Sequence, residues 1–375
     1  MSAQLAKSRA ARLRQAMEVA GVDVLIVPGD AWRSDYLRYA IDVTPMEGHM
    51  IACIGRDDTK RVFVANATEA ARVSLEVPGS EVSWSVDPVE NALRYVSVHC
   101  AGRSVALVAP QVASTKLASS LGGGGIEDAT AWFDRLMVAK TSEEAEAVAR
   151  ATALADAGYA VFRKAARVGR REYEVIAEVE AWFRSQGCAE NFVILASGGV
   201  EVRGMHPPGE RRIAPGDLVT TELTPCVDGY YAQICRTLVI GAPSDMQLTA
   251  YAVFQEALQA GIAAVKPGAT HGDIAFAQNK VFRQHGLGDY VTSAYTRVRG
   301  HGVGLYVDGV HVLEDVTLVL EPDMTLIVHP NTYHPSVGYM VLGDTVRVTQ
   351  DGCEVLTRTS RELFSEPAHE PAMQE

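Results

Sequence analysis

Two rhythms of apolar residues alternate along the first third of the chain. Residues 5 to 20 place Leu5, Leu13, Met17 and Val19 among lysines and arginines at helical spacing, and Gly21 ends the run. Val22–Val27 (VDVLIV) is a short, nearly continuous apolar run, the pattern of a strand covered on both faces. Met50–Ile54, Val62–Val64 and Val105–Val108 repeat it, with helical stretches at Thr68–Leu75 and Pro88–Val98. This alternation predicts an α/β domain ending near Leu136. Gly122 to Gly125 would suit a phosphate cradle, but no Gly-Lys-Ser/Thr follows, so a flexible loop is expected.

Beyond Lys140 the pattern changes. An alanine-rich helix with an acidic first turn runs to Ala165, and a second covers Arg171–Gln186. Strands are expected at Phe192–Ala196, Leu218–Leu223 and Tyr230–Ile240, the last entered through an Asp228-Gly229 turn. Helices follow at Asp245–Val265 and His271–His285. Strands return at Leu326–His329, Gly338–Val341, Thr345–Val348 and Glu354–Leu356. The polar, Pro-containing tail after Glu362 is expected to fray. The division is a first domain over residues 1–136 and a second over 137–375.

Composition narrows the function. A chain of 375 residues suits two domains. Its net charge of −12 disfavours nucleic acid and anionic membranes as partners. The six cysteines are scattered without a CxxC pair, which fits reduced thiols in a cytoplasmic protein rather than a disulfide scaffold or zinc knuckle. Met1–Arg14 lacks the apolar core of a signal peptide, and no run of about 18 apolar residues is present to span a membrane.

Candidate chemistry lies in the second half. His301 is set between glycines in Gly300–Leu305, where backbone can approach closely on both sides. Glu222, Gln233, Cys235 and His329 interrupt strand-like apolar runs that a plain core would leave apolar. Along a strand, Tyr231, Gln233 and Cys235 would share one face, with Arg236 opposite as a structural ion-pair partner.

Four stretches in order carry a family resemblance: Arg212–Val219, Asp228–Tyr231 with Arg236-Thr237, Gly300–Gly304, and Met340–Val346. They resemble the pita-bread fold of the methionine aminopeptidase, prolidase and creatinase superfamily. The first domain resembles the creatinase/prolidase-type N-terminal domain. The resemblance implies an α/β N-terminal domain followed by an α+β pita-bread catalytic domain, and a homodimer. The family's five metal-binding positions fall on Glu222, Gln233, His301, His329 and Gly343, where only the histidine at 301 keeps the family's residue. Two cations need several anionic oxygens, and one carboxylate remains.

The expectation is therefore a metal-independent, creatinase-like hydrolase of a C–N bond in a small molecule other than creatine, with no cofactor. By that resemblance His206 is the general base and then acid. His301 and His329 hold or polarise the scissile group, and Glu222 orients an imidazole. Gln233, Cys235, Tyr231, His311, Tyr333 and His334 are expected to contact substrate. Two alternatives stay open. One is a single Zn or Fe ion held by Glu222, His301 and His329. The other is a catalytically inactive pita-bread module that binds peptide or protein.

Overall fold

The computed structural model describes residues 3–122 and 126–368. Most of the glycine run and the last seven residues lie outside them. The chain divides into two compact units, Met1–Thr141 and Ser142–Glu375.

In the first unit, six strands form one mixed sheet. They are β1 (Val24–Asp30), β2 (His49–Gly55), β3 (Lys60–Val64), β4 (Glu81–Trp84), β5 (Val105–Leu107) and β6 (Glu127–Asp128), in spatial order β4-β3-β2-β1-β5-β6. Among the described residues six helices accompany them: α1 (Ala3–Ala20), α2 (Asp35–Ile41), α3 (Ala67–Glu76), α4 (Pro88–His99), α5 (Thr115–Gly122) and α6 (Thr130–Val138). Val24 to Val27 are almost fully buried, as a strand covered on both faces requires. Leu5, Leu13 and Met17 form the buried stripe of α1, whereas Val19 lies on its solvent face. Short helices and strands without a long apolar period, α2, β4 and β6, escaped the hydrophobic pattern.

In the second unit, α7 (Ser142–Ala165) and α8 (Glu172–Ser185) precede the sheet that carries the site. Its strands are β7 (Asn191–Gly198), β8 (Leu218–Val227), β9 (Tyr230–Tyr231) and β10 (Ile234–Ile240). Helices α9 (Asp245–Ala264) and α10 (His271–Gln284) follow, each opened by a reciprocal cap, Ser244 with Gln247 and Thr270 with Asp273. The remaining strands are β11 (Gly300–Gly302), β12 (Thr325–Val328), β13 (Thr332–His334), β14 (Gly338–Met340), β15 (Asp344–Val348), β16 (Cys353–Val355) and β17 (Phe364–Glu366). Strands β17-β10-β8-β7 lie side by side with β9 on β8, β11-β12-β15-β16 form a second sheet, and β13 pairs with β14.

Two expectations change here. The segment Tyr230–Ile240 is not one strand. Asp228 and Gly229 both take positive φ, the turn that suits a two-residue hairpin, and β9 leaves it. The chain then breaks at Ala232-Gln233, because Gln233 exchanges its backbone bonds with the Thr345 hydroxyl instead of a neighbouring strand. The tail also departs from a frayed end. Phe364–Glu366 adds a parallel strand to β10, Phe364 is buried, and Glu366 pairs with Arg163 and Arg167.

The two sheets meet beside the site. Cys235 and Gly343 exchange backbone hydrogen bonds of 3.2 and 2.9 Å. The neighbouring Arg236 is fully buried. It donates to the Gly343 carbonyl at 2.7 Å and to the Asp344 carboxylate at 2.7 Å, the structural ion pair expected of it.

Candidate active site

Glu222 sits in the middle of β8, opposite Ile194 on β7 and Cys235 on β10. Its register fixes where the carboxyl points, and two amides hold it. Gln233 Nε2 donates to Oε2 and Asn331 Nδ2 to Oε1, each at 2.8 Å. Asn331 is itself locked, because its Oδ1 accepts from the Leu342 amide and its carbonyl from Arg299. Burial pushes the Glu222 carboxyl up to about 7, against the lowering effect of the two amide donors.

His301 comes from β11. Gly300 before it has φ +138°, and a Cβ there would collide with the Ile327 carbonyl, so only glycine lets β11 pair with β12 at this register. His301 Nδ1 lies 3.1 Å from the Gly302 carbonyl, which can only accept. The proton is thus on Nδ1, leaving Nε2 as an acceptor. His329 follows β12, with its ring 5.6 Å from that of His301 and inclined at 66°. Burial pulls both imidazoles below their ordinary value, His329 well below, so both are neutral at pH 7. The Nδ1 of His329 is buried without a hydrogen-bond partner among the described residues.

These groups line a cavity of about 230 Å³, together with Asp308, His311 and Tyr339. Asp308 joins two of the histidines. Its Oδ2 is 3.1 Å from His311 Nε2 and its Oδ1 is 3.5 Å from His301 Nδ1. Of the residues expected at the site, Glu222, Gln233, His301, His311 and His329 come together here. Five others are not in this lining. The half-exposed His206 has Nδ1 2.9 Å from the Pro207 carbonyl and 3.8 Å from Glu172. Tyr231 donates to Glu190 and packs in the core cluster shared by α7, α8 and the β7–β10 strands. Cys235 is fully buried, and burial raises its thiol well above the ordinary range, which removes the thiolate that a nucleophile needs. Tyr333 stacks on Tyr295 at 5.5 Å and donates to the Val200 carbonyl. His334 Nδ1 accepts from the Ser336 amide.

Sequence reasoning missed Asn331 and Asp308. Asn331 was within reach, as a polar residue two positions past His329 in a buried stretch. Asp308 lies in a loop whose course no periodicity reveals.

The chain matches the profile of metallopeptidase family M24 over residues 146–350. It is 32% identical to the Xaa-Pro dipeptidase of Pyrococcus furiosus over 232 residues, 61% of this chain and 66% of that protein. It is 30% identical to the Xaa-Pro dipeptidase of Lactobacillus helveticus over 240 residues, 63% and 64%. The matches thus span just under two thirds of the length of these relatives. Among solved structures, the Xaa-Pro dipeptidase from Bacillus anthracis superposes with a TM-score of 0.82 at 24% identity, covering 96% of this chain and all of that one. The X-Pro aminopeptidase from Thermotoga maritima gives 0.83 at 21%, covering 95% and 99%. The two-domain pita-bread architecture is shared along nearly the whole chain.

These findings correct two expectations. The chain is not assigned to a metal-independent, creatinase-like hydrolase, because the matching family is one of metallopeptidases and the relatives are named dipeptidases. The expectation of no cofactor falls with it. The error came from judging a whole branch by five positions. Those positions nonetheless do not fit a pair of cations. Gln233 turns its amide nitrogen to Glu222, and Gly343 has no side chain. A Cβ at Gly343 would meet His329 and Cys235. The orphaned His329 Nδ1 has no cluster around it, since no three His, Cys, Asp or Glu among the described residues gather as metal ligands. By fold and by a match over more than half its length, the chain belongs to metallopeptidase family M24.

Proposed function

We propose that the chain hydrolyses the amide C–N bond of a short peptide in the cleft of Glu222, His301 and His329. The observation that carries this reading is a carboxyl pushed up to about 7 and held by two amide donors beside two neutral imidazoles. Such a group both takes and returns a proton near neutral pH. Glu222 accepts a proton as water adds to the scissile carbonyl carbon and forms the C–O bond. It returns that proton to the nitrogen as the C–N bond breaks. His301, with its proton fixed on Nδ1, offers Nε2 to hold the attacking water. Gln233 and Asn331 keep the Glu222 oxygens in place. Glu222 thereby takes the part that the family resemblance gave to His206.

The names of the relatives make Xaa-Pro dipeptides the first substrates to try. A panel of Xaa-Pro and other dipeptides, incubated with and without added Mn²⁺, Co²⁺ or Zn²⁺ and followed by amino acid release, tests the proposal. Cleavage of at least one member, lost in Glu222→Gln, is expected. Release from none of them under any ion condition overturns it.

A further inference from the structure

Residue 299 holds both ends of a short segment that carries two cleft side chains. The segment is His329-Pro330-Asn331, between β12 and β13. The Arg299 carbonyl accepts from the His329 amide at 3.1 Å, and the Arg299 guanidinium donates through Nη1 to the Asn331 carbonyl at 2.8 Å. Pro330 has no N–H, so it adds no amide bond of its own. Any residue at 299 would supply the carbonyl. Arginine alone supplies the second clamp, because its planar fork donates to several acceptors at once. Nε reaches Asn279 Oδ1 on α10 at 2.5 Å, and Nη1 also reaches the Val298 carbonyl at 3.1 Å. The guanidinium lies 5.5 Å from the centre of the Phe282 ring on the same helix.

This side chain is fully buried, and its acceptors are an amide oxygen and two carbonyls rather than a carboxylate. Arg236, also fully buried, has Asp344 at 2.7 Å. The Nη2 of Arg299 has no hydrogen-bond partner among the described residues. A guanidinium buried in this way is costly, and an apolar side chain would fill the space without that cost. What the cation adds is a link from α10 to Asn331, whose Nδ2 donates to Glu222 Oε1 at 2.8 Å. We infer that Arg299 is a positioning residue for Glu222, acting through Asn331. It holds the Asn331 backbone from behind, so that the side-chain amide stays on the carboxyl oxygen. The consequence for catalysis rests on the peptide-cleaving role proposed for Glu222.

Hydrogen exchange of the Asn331 side-chain amide, followed by NMR in the full chain, tests this. The resonance is assigned by its absence from Asn331→Ala. In Arg299→Met its protection is expected to fall about tenfold more than that of the core backbone amides of α9, the equilibrium equivalent of one hydrogen bond. Arg299→Lys keeps the cation, but one ammonium does not span the Asn279 and Asn331 acceptors as the fork does, so a relative loss of about threefold is expected. If Arg299→Met does not fold, Arg299→Lys decides. Parent-like protection of Asn331 in a folded variant overturns the inference. So does an equal fall at Asn331 and in α9, which marks general destabilisation.

Kinetics give a second readout. On any cleaved peptide, Arg299→Met should lower kcat about tenfold with KM nearly unchanged. In an Asn331→Ala background the same change should cost less than about twofold more. A further loss of about tenfold there would place the action of Arg299 on another route and overturn the inference. Lost protection at Asn331 in a chain that cleaves no peptide overturns the proposed reaction and leaves the positioning standing. Cleavage at the parental rate in Arg299→Met does the reverse.

Discussion

Gly343 lies so close to His329 that a Cβ on residue 343 would stand 2.7 Å from the His329 Cβ, and 3.1 Å from the Cys235 sulfur. The position is closed by backbone on one side and by a site histidine on the other. Gly343→Ala is expected to destabilise the protein by about 1–3 kcal/mol through overpacking, read as a lower urea midpoint with an unchanged slope. It should also displace His329. An unchanged midpoint would mean that the β12–β15 pairing yields more easily than its register implies.

The ionisable groups of the cleft give stability a two-sided dependence on pH. An unfolded glutamate loses its proton near 4.5, whereas Glu222 in the folded protein holds it to about 7. Between those values the folded state binds the extra proton, so stability falls as pH rises through the window, by up to about 3 kcal/mol. His301 and His329 act on the other side. Their folded values are lowered, so stability is lost as pH drops below the ordinary histidine range. Thermal melts from pH 5 to 8 should show Glu222→Gln losing the decline between pH 5 and 7 that the parent shows. An identical slope in both proteins would remove Glu222 as its source.

In catalysis, Glu222→Gln should lower the rate on any cleaved peptide by about 10²–10⁴-fold, the usual share of a positioned acid–base group. Asn331→Ala leaves the carboxyl but frees one oxygen, so a smaller loss and a shifted pH limb are expected. Rates over pH 5–9 for both variants check this. If Asn331→Ala changes the rate without moving the limb, its role is packing alone.

Asp344 faces two arginines. It accepts from the fully buried Arg236 at 2.7 Å and from Arg361 at 2.6 Å. Asp344→Ala leaves the Arg236 charge buried without its carboxylate and should cost about 3–5 kcal/mol. Equilibrium unfolding measures it. A loss below about 1 kcal/mol would show that the surrounding carbonyls suffice for Arg236.

Much of this site was legible from residue types alone. Polar side chains in buried strands are costly unless partnered, and that cost singled out Glu222, Gln233 and His329 before any fold was known. The glycines around His301 pointed to a close backbone approach, which the β11–β12 pairing supplies. What did not show was the path of the chain where strands break. Alternation along Tyr230–Ile240 placed Tyr231 beside Gln233, but the break at Ala232 sends Tyr231 into the core toward Glu190. Asp308 and Asn331 lie on irregular backbone, where position follows from tertiary contacts and leaves no period in the sequence. The chemistry was misjudged because the branch was chosen on residue identity at the metal positions, Gln233 and Gly343 above all, although both domains already resembled the superfamily that includes the prolidases.

Phe364 tests the last strand. Its ring is buried, 4.1 Å from the Arg163 guanidinium and 5.5 Å from Tyr159. Phe364→Ala should cost about 3–5 kcal/mol, measured by urea unfolding. A value near zero would make β17 an ornament of the sheet rather than a part of it.

That strand also sets an order on synthesis. One flank of β10, the strand that carries Cys235 and Arg236, pairs with a segment translated only after α9, α10 and the whole β11–β16 region. Until Phe364–Glu366 has left the ribosome, β10 offers a bare edge to any other extended chain nearby. The nascent protein is therefore most exposed to misassociation late in its production, when the cleft residues are already made and only the closing strand is missing.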